Sequence, residues 1–268
     1  MAYLEFIIPE PDPTQRELLI PELEALGFEG FEETDDALKA YIPEERLDED
    51  AWAERRLPAT VNRLEDQNWN QVWESNFDPV VIGDFCAVRA DFHKPIRGIA
   101  HELVITPKMS FGTGHHATTR LMIQAMRTLP IEGRKVVDFG TGTGVLAILA
   151  EHLGAEAIWA LDNDPWSIEN AQENAKRNGA AKTTWHLAEN LEGVPVADVV
   201  LANINRHILL QFMGPLHALL APGGLLLLSG ILSADRPVIA EAATATGLSI
   251  TEDAQEGDWV AQLWKKPR

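Results

Sequence analysis

The sequence predicts an α/β protein, an open and largely parallel sheet with helices on both faces, preceded by a small α+β module. Three observations predict it. From residue 135 onward, short apolar runs alternate with amphipathic helical stretches, the rhythm of βαβ units around a buried sheet. The first of those runs leads into a glycine-rich turn, "DFGTGTG" at 138–144. The first 66 residues, by contrast, order as strand, helix, strand, strand, helix, strand.

In chain order, "YLEFII" (3–8) reads as a strand. A helix follows over 14–25, with Leu18, Leu19, Leu23 and Leu26 on one face and Gly27 as its stop. "FEGFEE" (28–33) and "LKAYI" (38–42) are short strands around a turn at Asp35-Asp36. A short helix fits 48–57, and "TVNRLED" (60–66) closes the set. This is the order of a ferredoxin-like sandwich, assigned to residues 1–66. Residues 67–79, "QNWNQVWESNFDP", form a linker helix whose Trp69 and Trp73, four apart, share one face.

The larger domain spans 80–268. It opens with short strands such as "CAVRA" and "ELVITP". Then "KVVDFG" (135–140) is an apolar run of the kind buried in parallel sheets. "GVLAILAEHLGA" is a helix, "AIWALDND" a strand, and "PWSIENAQENAKRNG" a helix with Pro165 at its start and Gly179 beyond its end. "TTWHLA", "ADVVLANI", "RHILLQFMGPLHALL" and "GGLLLLSG" continue the alternation. The last stretch, "LSITEDAQEGDWVAQLWKK", reads as two strands joined by a turn near Gly257.

Composition sets outer bounds. Of 268 residues 46% are hydrophobic, enough for a sizeable core, yet no apolar run approaches the ~20 residues of a membrane span. The first residues, "MAYLEFIIPEPDP", lack the basic start and small-residue cleavage site of a secretory signal. The lone cysteine, Cys86, excludes an internal disulfide framework and fits a reducing cytoplasm. A net charge of −19, from 41 acidic and 22 basic residues, disfavours a free-standing nucleic-acid binder. It favours basic partners. A monomer is the default expectation.

The glycine turn narrows the chemistry. Gly140, Gly142 and Gly144 are spaced G-x-G-x-G, and glycine at a strand-to-helix turn lets the backbone approach a ligand closely. A dinucleotide site wants its third glycine where this chain has Val145, and a P-loop wants a lysine that is absent here. Asp138 precedes the turn, placed either to brace the loop or to meet a cationic ligand. Asp162 follows Gly140 by twenty-two residues, at the end of the next strand. A carboxylate there accepts both hydroxyls of a ribose. An adenosine site without pyrophosphate chemistry suits S-adenosylmethionine. Asn203, ending "VVLANIN", falls at the carboxyl edge of the sheet. Two roles stay open for it: orienting a nitrogen through its carbonyl oxygen, or capping the helix that begins near Asn205.

Residues 109–122, "MSFGTGHHATTRLM", raise their own alternatives. His115 and His116 point about 100° apart on a helix and do not readily share a metal ion; no metal is expected. No lysine is placed for a phosphate loop. Thr113 or Gly114 can start a helix whose apolar positions are Leu121, Met122, Ala125 and Met126. Capping alone requires neither Phe111 nor both histidines.

Taken together, "MSFGTGHHATTRLM", "VVDFGTGTGVLAI", "ALDNDPWSIENAQENAKRNG" and "ADVVLANI" occur in an order and spacing that resemble the ribosomal protein L-11 methyltransferases. The linker "LEDQNWNQVWESNFDPV" and the final "GDWVAQLW" resemble that family too, so the likeness covers most of residues 60–268. It implies a seven-stranded class I methyltransferase sheet, Rossmann-like, with S-adenosylmethionine as methyl donor. It implies contacts to that molecule from Thr119, Gly140, Asp162 and Asn203, with Phe111 and the loop around Thr113 closing over it. Gly112 and Gly114 would give such a lid its mobility. The implied activity is methylation of lysine side chains and an N-terminal amine on ribosomal protein L-11, gripped by the small first domain. The rival readings are a methyltransferase for another lysine or a small amine, and a non-catalytic module that binds the same methyl donor.

Overall fold

The computed structural model describes residues 3–9, 12–34, 36–55, 57–64, 78–106 and 112–268. The chain divides into two compact units, residues 1–77 and 78–268. The expected linker helix at 67–79 falls almost wholly outside the described residues.

In the first unit, strand β1 (Tyr3–Pro9) is followed by α1 (Pro13–Glu24), β2 (Gly30–Glu33), β3 (Ala37–Pro43), α2 (Glu49–Arg55) and β4 (Thr60–Leu64). The sheet runs β2-β3-β1-β4 with every pairing antiparallel. Period-two alternation explains its buried face. Phe6 and Ile8 on β1 pair with Ala40 and Leu38 on β3, and all four are buried. Leu23 of α1, Phe28 and Trp52 of α2 complete this core, with the Phe6 ring edge-on to Trp52 at 4.6 Å. The intervening residues form the other face. There Glu5 pairs across from Tyr41, whose hydroxyl donates to Glu5 at 3.2 Å and to Glu32 at 3.0 Å.

The second unit opens with a three-stranded sheet, β5 (Val80–Ile82), β6 (Cys86–Arg89) and β7 (His101–Val104). The main sheet follows after α3 (Ala117–Met126). It is built from β8 (Lys135–Phe139), α4 (Val145–His152), β9 (Ala157–Asp162), α5 (Pro165–Arg177), β10 (Thr183–Leu187), β11 (Ala197–Asn203), α6 (Arg206–Leu219), β12 (Leu220–Leu232), α7 (Arg236–Ala245), β13 (Ser249–Glu256) and β14 (Trp259–Lys265).

Its strand order is β10-β9-β8-β11-β12-β14-β13. Pairing is parallel from β10 to β12. The final hairpin inserts β14 antiparallel to both its neighbours, so the two terminal strands read from the sequence turn the parallel sheet into a mixed one. Two apolar layers cover it. Val136, Val199 and Leu201 face Met122, Met126, Leu146 and Ile148. The alternate residues Val137, Val200 and Ala202 face Leu209, Met213, Leu216 and Ile239. The buried core of α4, Val145 through Ala150, has no polar side chain, as expected of a helix packed on every side. Among the described residues no helix is long and apolar enough to cross a membrane.

Candidate active site

Consecutive strands run outward in opposite directions from the central β8, with β9 on one side and β11 on the other. The carboxyl ends of strands at such a reversal form the natural crevice of a doubly wound sheet. Three of the expected residues end these strands or follow them: Gly140 after β8, Asp162 on β9 and Asn203 on β11.

The turn from β8 to α4 depends on glycine. Gly140, Gly142 and Gly144 have φ of 79°, 54° and 81°, the left-handed region that side chains disfavour. The amides of Gly140 and Thr141 both donate to the carbonyl of Leu161 at 2.9 Å. The amide of Gly142 donates to Oδ2 of Asp162 at 2.8 Å, and that of Asp164 donates to Oδ1 at 3.1 Å. Each carboxylate oxygen keeps a lone pair for a further partner. Asp162, Gly140, Gly142 and Asn203 all line one cavity of about 550 Å³.

Asn203 is resolved by its neighbours. Asn205, two residues on, is the cap of α6, its Oδ1 accepting from the amide of Ile208 at 3.2 Å. Asn203 is thus free of capping. Its Nδ2 donates to Oγ1 of Thr119 at 3.4 Å, and its Oδ1 is buried with no hydrogen-bond partner. A buried acceptor left unpaired is costly, and of the four such side-chain atoms among the described residues only that of Asn203 belongs to a residue lining the cavity. Thr119 itself is buried on α3 behind Asn203 and does not line the cavity.

The approach of β11's exit loop is set by two missing side chains. A Cβ on Gly140 would sit 2.3 Å from Cγ2 of Ile204, and one on Gly230 would sit 2.3 Å from the Ile204 carbonyl oxygen. Ile204 is wedged between the two glycines, which fixes the residue next to Asn203.

Asp138 lies beneath the turn, 1% exposed, and does not line the cavity. Its Oδ2 accepts from the Thr141 hydroxyl at 2.6 Å. Burial pushes its carboxyl up to about 7; the Thr141 bond opposes that shift, and the Asp162 charge adds to it. This geometry suits the bracing role better than direct contact with a ligand. Gly144 does not line the cavity, and a Cβ there would lie 3.0 Å from Ala171 and from Trp185.

The 112–117 region corrects one expectation. Helix α3 starts at Ala117 and its cap is His116, whose Nδ1 accepts from the amide of Thr118 at 3.3 Å. Thr113 and Gly114 do not cap it. Thr113 shares a hydrogen bond with Nδ1 of His115 at 3.1 Å, and Gly114 is still turning, with φ of 91°. The two histidines diverge. His115 reaches the Asp78 carbonyl at 2.8 Å, while His116 packs edge-on against Trp259 at 4.6 Å and lines the cavity. Among the described residues, no group of three or more His, Cys, Asp or Glu is placed to hold a metal ion. Thr113 does not line the cavity, and Phe111 falls outside the described residues.

Trp259, Phe212, Ile208, Gly230 and Glu189 also line the cavity, and none was singled out from the sequence. A signal existed for two of them. Gly230 ends an apolar run, as Gly140 does, and Trp259 follows the turn at Gly257-Asp258.

Comparison with known proteins agrees with this geometry. The family model of the ribosomal protein L11 methyltransferases (PrmA) matches residues 7–267. The chain is 40% identical to the ribosomal protein L11 methyltransferase of Porphyromonas gingivalis, over 97% of this chain and 96% of that one. It is 38% identical to that of Phocaeicola vulgatus, over 88% of each. Among solved structures, a ribosomal protein L11 methylase from Lactobacillus delbrueckii subsp. bulgaricus aligns with a TM-score of 0.66 at 26% identity, covering 71% of this chain and 99% of that one. A methyltransferase from Pyrococcus furiosus, at 19% identity and a TM-score of 0.52, shares the fold. The sheet is that of a class I methyltransferase, and with a match running almost from end to end, the chain belongs to the ribosomal protein L11 methyltransferase family.

Proposed function

We propose that this chain transfers methyl groups from S-adenosylmethionine to amines of ribosomal protein L11, both lysine side chains and the N-terminal amine, in the cytoplasm. The observation that carries the reading is the gathering of Gly140, Gly142, Asp162 and Asn203 around one cavity, with Asn203 Oδ1 lacking a hydrogen-bond partner.

The residues present fit the methyl donor. Gly140 and Gly142 bring bare backbone to the cavity wall at left-handed φ, and Asp162 offers two oxygens to the ribose hydroxyls. When bound, S-adenosylmethionine supplies a methyl group on an electrophilic sulfonium. Asn203 Oδ1 accepts a hydrogen bond from the incoming amine, which aims the nitrogen lone pair. Phe212, Ile208 and Trp259 wall the cavity with apolar surface and exclude water around the amine.

The amine must arrive neutral. A lysine with an ordinary pKa of about 10.4 pays roughly 4.6 kcal/mol for this at pH 7, and an N-terminal amine near 7.7 about 1 kcal/mol. An apolar, partly enclosed site lowers that cost by disfavouring the charged form. His116 is already engaged with Thr118 as a cap, so proximity, orientation and desolvation carry catalysis in this reading.

Charge supports a basic protein substrate. Residues 1–66 hold 19 acidic side chains against 6 basic ones. A small domain so charged attracts lysine-rich surface and repels nucleic acid. The proposed organisation is a recognition domain at 1–66, a linker at 67–79 and a methyltransferase domain at 80–268, acting as a monomer.

The test is mass spectrometry of total ribosomal protein, L11 included, incubated with the enzyme and S-adenosylmethionine. Whole methyl increments on lysine and N-terminal amines are expected. An unmodified L11, with another ribosomal protein modified in the same mixture, would overturn the substrate assignment.

A further inference from the structure

Asn174 is fully buried near the C-terminal end of α5, where an unpaired carboxamide would be costly. It is not unpaired. Its Nδ2 donates to the Thr143 carbonyl in the glycine turn at 3.0 Å, and its Oδ1 accepts from the amide of Thr106 at 3.0 Å. One turn further on, Asn178 brackets Val104: Oδ1 accepts from its amide and Nδ2 donates to its carbonyl, both at 2.8 Å.

The spacing has a geometric reason. Four residues of helix rise about 6.0 Å, and two residues of extended chain span about 6.6 Å. Carboxamides at i and i+4 therefore match alternate peptides of a chain lying along the helix.

Thr143 is held from a second side. Its hydroxyl donates to the Gly112 carbonyl at 2.7 Å. Gly112 has φ of 111°, and a Cβ there would lie 2.7 Å from that same hydroxyl oxygen. Thr106 and Gly112 flank residues 107–111 in the sequence, and both are tied to Thr143, one through Asn174 and one directly. Neither Asn174 nor Thr143 lines the cavity, whereas Gly142, adjacent to Thr143, does.

We propose that Asn174 and Thr143 form a brace that sets the glycine turn at the height the methyl donor requires. This makes them positioning residues for methyl transfer. The proposal rests on the reading of the cavity as the S-adenosylmethionine site. The brace locks the turn from behind, so that the Gly142 amide and the Asp162 carboxylate present one fixed surface to the adenosine. Its loss weakens capture of the methyl donor and leaves the reacting end, around Asn203, in place.

The test uses the full-length chain, calorimetric titration with S-adenosylmethionine, and steady-state kinetics. Asn174→Asp keeps the acceptor for Thr106 but cannot donate to the Thr143 carbonyl. Thr143→Val removes only the bond to Gly112, and Thr143→Ser restores it. Asn174→Asp and Thr143→Val are each expected to weaken binding of the methyl donor by roughly tenfold or more. The KM for it should rise in parallel, with kcat at saturation changing by less than about twofold, and Thr143→Ser should recover affinity. If Asn174→Asp does not fold, the Val and Ser pair at 143 decides alone. Wild-type affinity in Thr143→Val, or an equal loss in Thr143→Ser, would overturn the proposal. Failure of the wild type itself to bind S-adenosylmethionine would instead overturn the reading of the cavity.

Discussion

The amide of Gly142 donates to the carboxylate of Asp162 at 2.8 Å across twenty residues of sequence. One side chain thus both shapes the glycine turn and faces the cavity. Asp162→Ala removes the turn's lock and the proposed ribose acceptors together. Affinity for S-adenosylmethionine is expected to fall by roughly ten- to a hundredfold, as for loss of hydrogen bonds to a charged group. Calorimetry measures this directly, and an unaltered dissociation constant would remove Asp162 from the site.

Asn203 bears on the reaction rather than on capture. Its Oδ1 is buried and unpartnered, and its Nδ2 rests on Thr119. Asn203→Ala should lower kcat by about a hundredfold through lost orientation, with a much smaller effect on affinity for the methyl donor. Rapid-quench measurement at saturating substrates separates these quantities. Full turnover in the variant would assign Asn203 a structural part only.

Ile204 is wedged between Gly140 and Gly230. Gly230→Ala places a methyl group 2.3 Å from a backbone oxygen at a residue with φ of 84°. A cost of about 2 kcal/mol or more is expected from strain at such a position. Thermal unfolding should show a melting temperature several degrees below wild type. Turnover should fall as well, because Asn203 shifts with its neighbour. A variant as stable and active as wild type would show that the loop relaxes without consequence.

Burial raises the Asp138 carboxyl to about 7, against about 3.9 in an unfolded chain. Between those values the native state holds a proton that the unfolded state has released, so this group's contribution to stability declines as pH rises through that window. Asp138→Asn does not titrate, and its Oδ1 can still accept from Thr141. The melting temperature of the variant relative to wild type should therefore improve from about pH 5 to about pH 8. A difference that stays constant with pH would contradict a protonated carboxyl at this position.

The acidic first domain gives association with a basic protein a salt dependence. Binding of ribosomal protein L11 should weaken steadily from about 50 to 500 mM salt, as exposed charges are screened. Affinity that ignores salt would mean that apolar contact, not charge, selects the substrate.

Much of the sheet was legible because buried parallel strands leave short apolar runs. "KVVDFG" and "ADVVLANI" became β8 and β11 with boundaries shifted by only a residue or two. Asp162 was legible because strand and helix lengths set its distance from the glycine turn. Trp259 and Gly230 were not, because they reach the cavity from far along the chain, through the antiparallel insertion of β14 beside β12. A capping histidine was among the roles open to His115 and His116, but Thr113 and Gly114 carry the usual cap signal and drew the helix start too early. Asn174 resembles a solvent-facing residue in "IENAQENAKRN". Its burial follows from the chain segment at 104–106 lying along α5, which no local pattern reveals.

The two ends of the main sheet are unequal. At one end β13, exposed along nearly its whole length, carries Glu252, Asp253 and Glu256. At the other end β10 has no carboxylate between Thr183 and Leu187, and Leu187 is 58% exposed. Acidic groups on an open edge discourage another strand from adding there. Asp253 and Glu256 are ion-paired with Arg236 and Arg120, so the bare charge a strand added at β13 meets is chiefly Glu252, and self-association on concentration or partial unfolding is expected to favour the β10 margin. A lysine placed along that margin is the natural guard against aggregation during preparation.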